Sequence, residues 1–481
     1  MAPIHRCGAS LALALAALSG CATQRTPPPQ IEPAASAHAL EARRLDDPRL
    51  LRFVAAARSL EEGKGEPGRA GSWGLDELSL AALYYHPDLD LARARLAAAR
   101  ADAALAARGP NPSAGLSLGY NATTAVPSPW TVGLMVDFIL ESFGRREART
   151  AQAAHLADAA RDDLESATWK VRAGVRDALL AMWAAGRRLA LAQRQLGRRA
   201  ELADLVERRF AAGAASALDV SRERIARDRA RLELADAERL RSAARARLAQ
   251  AVGVPLRALE GLKISLAAFD APVPVAPEVS TGALRERALT RRADVRAMLD
   301  DYLAAQSALR LQVARRWPDL HLGPGYTYDQ GDNKFSLELG AELPRPGRSE
   351  DRIASAEARR AEAAARFEAL QARILGEIDA AAAGYRAAAG ARAGAQALAA
   401  QAERRVAGMR RAFDAGQVGR PALVAAGIEL GAARRAALDA RAAEDREVAS
   451  LEDALQTPLF GSPRGLPLEE RNPRLATENE R

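Results

Sequence analysis

Residues 144–213 contain no proline, and alanine, arginine, leucine and glutamate, all strong helix formers, fill the interval. Val175, Met182, Leu189, Leu196, Ala203 and Phe210 fall seven residues apart. Val171, Ala178, Ala185 and Ala192 make a second, small-residue seam beside them. That is a coiled-coil repeat whose alanines let neighbouring helices approach closely. A helix of this extent is about 100 Å long at 1.5 Å per residue. No globular core buries such a rod, so it needs partner rods. The sequence supplies one, because the same pattern returns over residues 347–416.

Composition agrees with packed helices. Of 481 residues 48% are hydrophobic, largely alanine, while only 4% are aromatic. The formal net charge of +8 raises a nucleic-acid reading. The 69 basic and 61 acidic residues are interleaved along helices, however, as on solvated or ion-paired faces, and no aromatic-plus-basic module accompanies them. The two cysteines, Cys7 and Cys21, are too near the start to staple the body. His5 and Arg6 precede an apolar run over residues 10–18 that is too short to span a bilayer, the pattern of a secretory signal peptide over residues 1–20. The run closes on Leu18-Ser19-Gly20-Cys21, which resembles the bacterial lipoprotein box. The resemblance implies cleavage before Cys21, lipidation of that residue and, with alanine following it, sorting to the outer membrane. No later stretch reaches 18 consecutive apolar residues, so any spanning falls to strands.

Residues 21–72 read as a lipid-anchored tether, proline-rich and polar at first, then helical in composition but poorly periodic. Two short helices follow, the second ended by Gly109-Pro110. The period then changes from 3.6 to 2. Ala114, Leu116, Leu118 and Tyr120 share one strand face; Trp130, Val132, Leu134, Val136 and Phe138 share the apolar face of the next. This is a hairpin over residues 113–138 with strands of about nine residues, the length a tilted strand needs to cross a bilayer. The long helix at 144–211 and a return helix at 217–252 complete a first repeat spanning 73–260. Residues 261–280 read as a proline-interrupted linker.

Everything then recurs over residues 281–457. His86-Pro87-Asp88-Leu89 corresponds to Arg292-Ala293-Asp294-Val295, and Asn111-Pro112 to Trp317-Pro318, both at an offset of 206. Gly144-Arg145 corresponds to Gly347-Arg348, and Phe210-Ala211-Ala212-Gly213 to Phe413-Asp414-Ala415-Gly416, both at 203. The three-residue change is confined to the hairpin, here 319–343, after which a long helix (347–414) and a return helix (419–457) repeat the plan. The proline-rich, charged tail at 458–481 reads as disordered. The expected fold is mainly α with a small β part, a tandem duplication of long helices plus four strands. Four strands cannot close a barrel, and an open edge in lipid leaves backbone groups unsatisfied. Copies of the chain must complete it: two give eight strands, three give twelve with room for a lumen.

At this point the chain resembles the TolC-type outer-membrane efflux channels. The resemblance rests on the duplicated hairpins, on Arg209-Phe210-Ala211-Ala212-Gly213-Ala214-Ala215-Ser216-Ala217-Leu218-Asp219-Val220, and on Pro318-Asp319-Leu320 through Leu343-Pro344. It implies a homotrimer with a twelve-stranded transmembrane barrel and a periplasmic helical tunnel. That tunnel receives substrate, drugs or metal cations, from an inner-membrane pump through a periplasmic adaptor. Tyr326-Thr327-Tyr328-Asp329-Gln330-Gly331-Asp332-Asn333-Lys334-Phe335 looks like the branch serving heavy-metal cation pumps. The resemblance further makes Gly213 and Gly416 the periplasmic tip that docks an adaptor, with Asp219 near the constriction. The second copy departs there, carrying Ala422. With apolar strand faces toward outer-membrane lipid, alternation sends Asp137, Asp319, His321, Glu338 and Glu342 to the barrel lumen.

The five histidines (His5, His38, His86, His155, His321) show no zinc-type spacing. No phosphate-binding loop, nucleophile elbow or catalytic triad is present, and carboxylate pairs such as Asp162-Asp163 and Asp300-Asp301 point apart on their helices. The sequence therefore reads as a non-enzyme without a cofactor, metal site or nucleic-acid partner. The alternative to a duct is a structural coiled-coil lipoprotein or periplasmic adaptor, whose strands need no membrane-length apolar face.

Overall fold

The computed structural model describes residues 30–61, 72–123, 127–141, 143–271, 281–343 and 345–460. The signal peptide, Cys21, most of the tether's ends, residues 272–280 and the tail beyond 460 lie outside them. The chain divides into two units, residues 1–43 and 44–481. In the first, α1 (Pro33–Glu41) starts on a proline, whose fixed φ suits a first helical turn, and buries none of its residues. Part of the expected tether is thus helical.

The second unit begins with α2 (Pro48–Glu61), α3 (Leu75–Tyr85) and α4 (Pro87–Ala106). It continues through β1 (Ser113–Tyr120) and β2 (Trp130–Leu140) to α5 (Arg145–Ala211) and α6 (Ala217–Val252). After two short 3-10 turns come α7 (Thr281–Arg291), α8 (Ala293–Ala314), β3 (Leu320–Asp329), β4 (Asp332–Ala341), α9 (Pro346–Asp414) and α10 (Arg420–Leu455). None of the described helices is long and apolar enough to cross a membrane. The 67 residues of α5 bury both seams read from sequence: Val175, Leu189 and Ala203 on one, Val171, Ala178 and Ala185 on the other. Phe210 departs from the seam and is exposed at its end.

Two boundaries move. Residues 261–271 are not a free linker, because Trp73 and Ile264 form a β-bridge and Phe269 is 1% exposed, its ring 5.5 Å from that of Phe460. The tail correspondingly packs as far as Phe460, also buried. Apolar burial at each place outweighs the local proline content. Both segments close over the largest core cluster, which joins α2, α3 and α4 to the middle of α5 and the end of α10.

That core is crossed by buried charge. Arg176 is completely buried on α5; its guanidinium bonds Glu452 at 3.0 Å and Asp453 at 2.8 Å on α10. Arg172 also pairs with Glu452 and donates to the Phe460 carbonyl. Burial opposes the charge on Arg176, but the carboxylates of Asp453, Asp177 and Glu452 more than offset it, so its pKa is raised. Arg292, beside the start of α8, donates to the Ala454 carbonyl and pairs with Asp294 and Glu377. Arg172 and Arg176 join the first repeat to the second through buried contacts, whereas Arg292 braces the second repeat internally; removing one partner of such a pair leaves the other desolvated.

Candidate functional site

The four strands form one antiparallel sheet in the order β1-β2-β3-β4, so β1 and β4 each leave an edge without a strand partner among the described residues. Its register sorts the side chains. Leu116 stands opposite Leu134, Leu118 opposite Val132, Tyr120 opposite Trp130, Leu134 opposite Tyr326, Phe138 opposite Leu322, and Tyr326 opposite Phe335. Because side chains alternate along a strand, these pairs occupy one face. That face is uncovered: Leu118 is 67% exposed, Phe335 84% and Leu339 71%. A continuous apolar face of this size is unstable against water and fits hydrocarbon. Glycines, serines and threonines fill much of the other face, with Ser117 opposite Gly133 and Gly133 opposite Thr327.

Of the residues expected in the lumen, Asp137 and His321 share this polar face, with His321 Nδ1 2.9 Å from Asp137 Oδ2. Glu338 stands opposite Gly323 on the same face and is exposed. Two positions differ from the expectation. Asp319 precedes β3 and pairs with Arg145, so it closes the sheet's end instead of lining a strand. Glu342 lies one residue beyond β4. Strand alternation does not extend to either, because the ladder stops at the pair Leu320–Ala341.

The junction between sheet and helices is built by arginines. Arg146 donates to the Ala107 carbonyl at 2.8 Å, Arg149 to those of Ala106 and Arg108 at 3.0 and 3.1 Å, and Arg145 to those of Ala314 and Trp317. Three side chains from the first turns of α5 thus satisfy the open C-terminal carbonyls of α4 and α8, where a cation is favoured. Phe143 stacks on Trp317 with ring centres 4.9 Å apart. Sequence reasoning used Gly144-Arg145 only to align the repeats. The signal for this role was the run of arginines directly after a strand, facing two helices that end at the same depth.

At the opposite end of α5 and α9, the turns pass through Gly213 at φ +74° and Gly416 at φ +73°. A β-carbon is strained in that region, which accounts for glycine at both. After the first turn, the Asp219 carboxylate accepts from the Ser216 amide at 3.0 Å and hydroxyl at 2.7 Å, while the Ser216 hydroxyl accepts from the Asp219 amide at 3.1 Å. This is a reciprocal cap of the α6 N-terminus. The Ser216 bonds hold the carboxyl below the usual aspartate range. The structure therefore engages Asp219 in its own helix end. α10 has no such cap; Gly419 precedes it and Pro421 occupies its first turn. A cavity of about 760 Å³ is lined from α5, α9 and α10 by Arg198, Glu201, Glu403, Arg420, Leu423 and Arg434.

A sheet with one uncovered apolar face, continuous with two long helices of 67 and 69 residues that each pack against a return helix, defines the class: a strand-and-long-helix fold. Residues 78–254 match the family model described as outer membrane efflux protein. The chain is 27% identical over 322 residues to the pyoverdine export outer membrane protein OpmQ of Pseudomonas aeruginosa, an alignment covering 62% of this chain and 66% of that one, just under two thirds of its length. In fold it is similar to VceC of Vibrio cholerae, with a TM-score of 0.64, 21% identity, and coverage of 79% of this chain and 95% of the other. The open-state MtrE channel of Neisseria gonorrhoeae gives 0.65, 19%, 79% and 88%. Over residues 78–254 the chain is thus similar to outer membrane efflux proteins, and its fold is similar to that of solved outer-membrane channels.

Proposed function

We propose that this protein is the outer-membrane channel component of a tripartite efflux system, a passive homotrimeric duct for drugs or metal cations. An inner-membrane pump and a periplasmic adaptor deliver the substrate. The observation that carries the reading is the four-stranded sheet with an exposed apolar face and two edges unpaired among the described residues. Three copies pair those edges and close twelve strands, which leaves a lumen. The small side chains of the polar face line it, with rings of Asp137–His321 pairs and of Glu338. Helices α5, α6, α9 and α10 continue the wall into the periplasm and end at Gly213, Asp219 and Gly416, the docking end. Cys21 carries the lipid anchor, which adds to the hold of the barrel on the membrane. A structural lipoprotein or adaptor has no use for the apolar sheet face.

The test is single-channel recording from the purified protein in planar bilayers, with its mass measured by light scattering in the same detergent. A trimer with discrete conductance steps is expected, and Glu338→Gln is expected to lower its cation preference in reversal potentials under a salt gradient, since carboxylate rings favour cations. A monodisperse monomer without conductance would remove the duct. Labelling with palmitate is expected in the native chain and lost in Cys21→Ser; persistent label would exclude that anchor.

A further inference from the structure

We propose that His155, Asp158 and Asp300 form a binding site for a divalent transition-metal cation that bridges α5 and α8. No such spacing is visible in the chain, because two of the three donors lie three residues apart and the third arrives from the other repeat. His155 and Asp158 share one face of α5, as residues separated by three do. Asp300 reaches them from α8, its Oδ1 3.0 Å from His155 Nδ1. One donor atom from each of the three lies within 4.8 Å of the others. Ligands bound about 2.0–2.2 Å from a tetrahedral zinc stand about 3.3–3.6 Å apart, so small side-chain movements bring all three onto one ion. Among the described residues Asp158 has no ion pair, which leaves its carboxylate available.

The donor chemistry selects the cation. One imidazole nitrogen with two carboxylate oxygens suits zinc and its first-row neighbours, with water completing the shell. Calcium and magnesium prefer all-oxygen sets. The surroundings are acidic as well. Arg296, the cation closest along α8, is committed to Asp162 at 2.9 Å and to Glu165. An ion here ties the first repeat to the second about 15 Å along α5 from its strand-bearing end, ten residues at 1.5 Å each. The site stands on this geometry and is independent of the duct reading.

The test is calorimetric titration of zinc chloride into the full chain, purified in detergent without a histidine tag. One saturable site per chain is expected, with magnesium unable to compete. His155→Ala and Asp158→Asn are each expected to weaken zinc at least tenfold while the oligomer keeps its size; Asp158 is exposed, so its variant folds. His321→Ala, which removes the histidine of the sheet, is expected to leave the affinity unchanged. Absence of a saturable site, wild-type affinity in either α5 variant, or loss of binding in His321→Ala would overturn the assignment.

Discussion

The two long helices descend from one duplicated plan, yet they are buried differently. α5 packs against α4, α6, α8 and α10, and it keeps buried side chains from Ala148 near the sheet to Leu202 and Ala203 near the tip. α9 packs mainly against α8 and α10, and among its described side chains none after Ala381 is buried. Its last 33 residues are rich in alanine and glycine, with Gly384, Gly390, Gly394 and Gly408 and the half-exposed Leu398. The difference is one of position. α5 is interior and carries the inter-repeat contacts, whereas α9 lies at the margin with a face that the described residues leave uncovered. A heptad pattern reports that a helix has a partner and is silent on whether that partner is the same molecule.

The largest expected effect comes from breaking the interior side. In Glu452→Ala the buried guanidiniums of Arg172 and Arg176 lose their shared carboxylate. Removing one partner of a buried ion pair costs about 3–5 kcal/mol, because the other is left desolvated. Glu362→Ala on α9 removes an exposed i,i+4 pair with Arg366, worth about 0.3–0.5 kcal/mol. Denaturant titration followed by circular dichroism is expected to show a clear drop in midpoint for the first and almost none for the second. Equal midpoints would mean that α5 and α10 are not braced by charge.

The marginal side separates into two halves by a further pair of substitutions. Ile374 is fully buried beside Leu370 and Ile378, so Ile374→Ala is expected to cost about 2–5 kcal/mol within the chain. Leu398 is 51% exposed, so Leu398→Glu is expected to leave the secondary structure intact. If another copy covers this face, the same variant shifts the protein from trimer to monomer in light scattering, because a charge is placed in an apolar interface. An unchanged trimer in Leu398→Glu would show that the outer part of α9 faces solvent in the assembly.

The fold was legible wherever a period governed it. The switch from 3.6 to 2 at Ser113, the seven-residue seam through Val175 and Leu189, and the two offsets of the duplication were all local statements about side-chain placement. The strand faces followed from alternation, and the register agrees, pairing Leu118 with Val132 and Tyr326 with Phe335. What was not legible depends on contacts between distant segments. Nothing near Phe269 or Phe460 says that two proline-rich stretches meet over the core. Nothing near Asp319 says that Arg145, 174 positions earlier, arrives to claim it. His155 looked isolated because its nearest acidic partner in space is Asp300. Asp137, His321 and Glu338 share one sheet face, and alternation stops being informative one residue past each ladder.

The tips sharpen the comparison at its smallest scale. Gly213→Val and Gly416→Val place a β-branched residue at φ near +74° and +73°, a left-handed conformation that costs about 1–2 kcal/mol per residue. Both are expected to impair efflux, measured as lowered drug or metal tolerance of cells, with the trimer retained. The caps then distinguish the repeats. Ser216→Ala deletes the hydroxyl that accepts from the Asp219 amide, an expected loss of about 1 kcal/mol at the α6 N-terminus, whereas α10 has no side-chain cap to lose. The folded-state pKa of Asp219 is depressed, so its contribution is present above the ordinary aspartate range and fades as pH falls through the lowered value. Hydrogen exchange of the first amides of α6 and α10, compared at neutral pH and near pH 3, is therefore expected to quicken at α6 alone once intrinsic rates are corrected. Equal loss of protection at both helices would show that the tip frays as a unit and that the Ser216–Asp219 cap does not set the local stability of the first repeat.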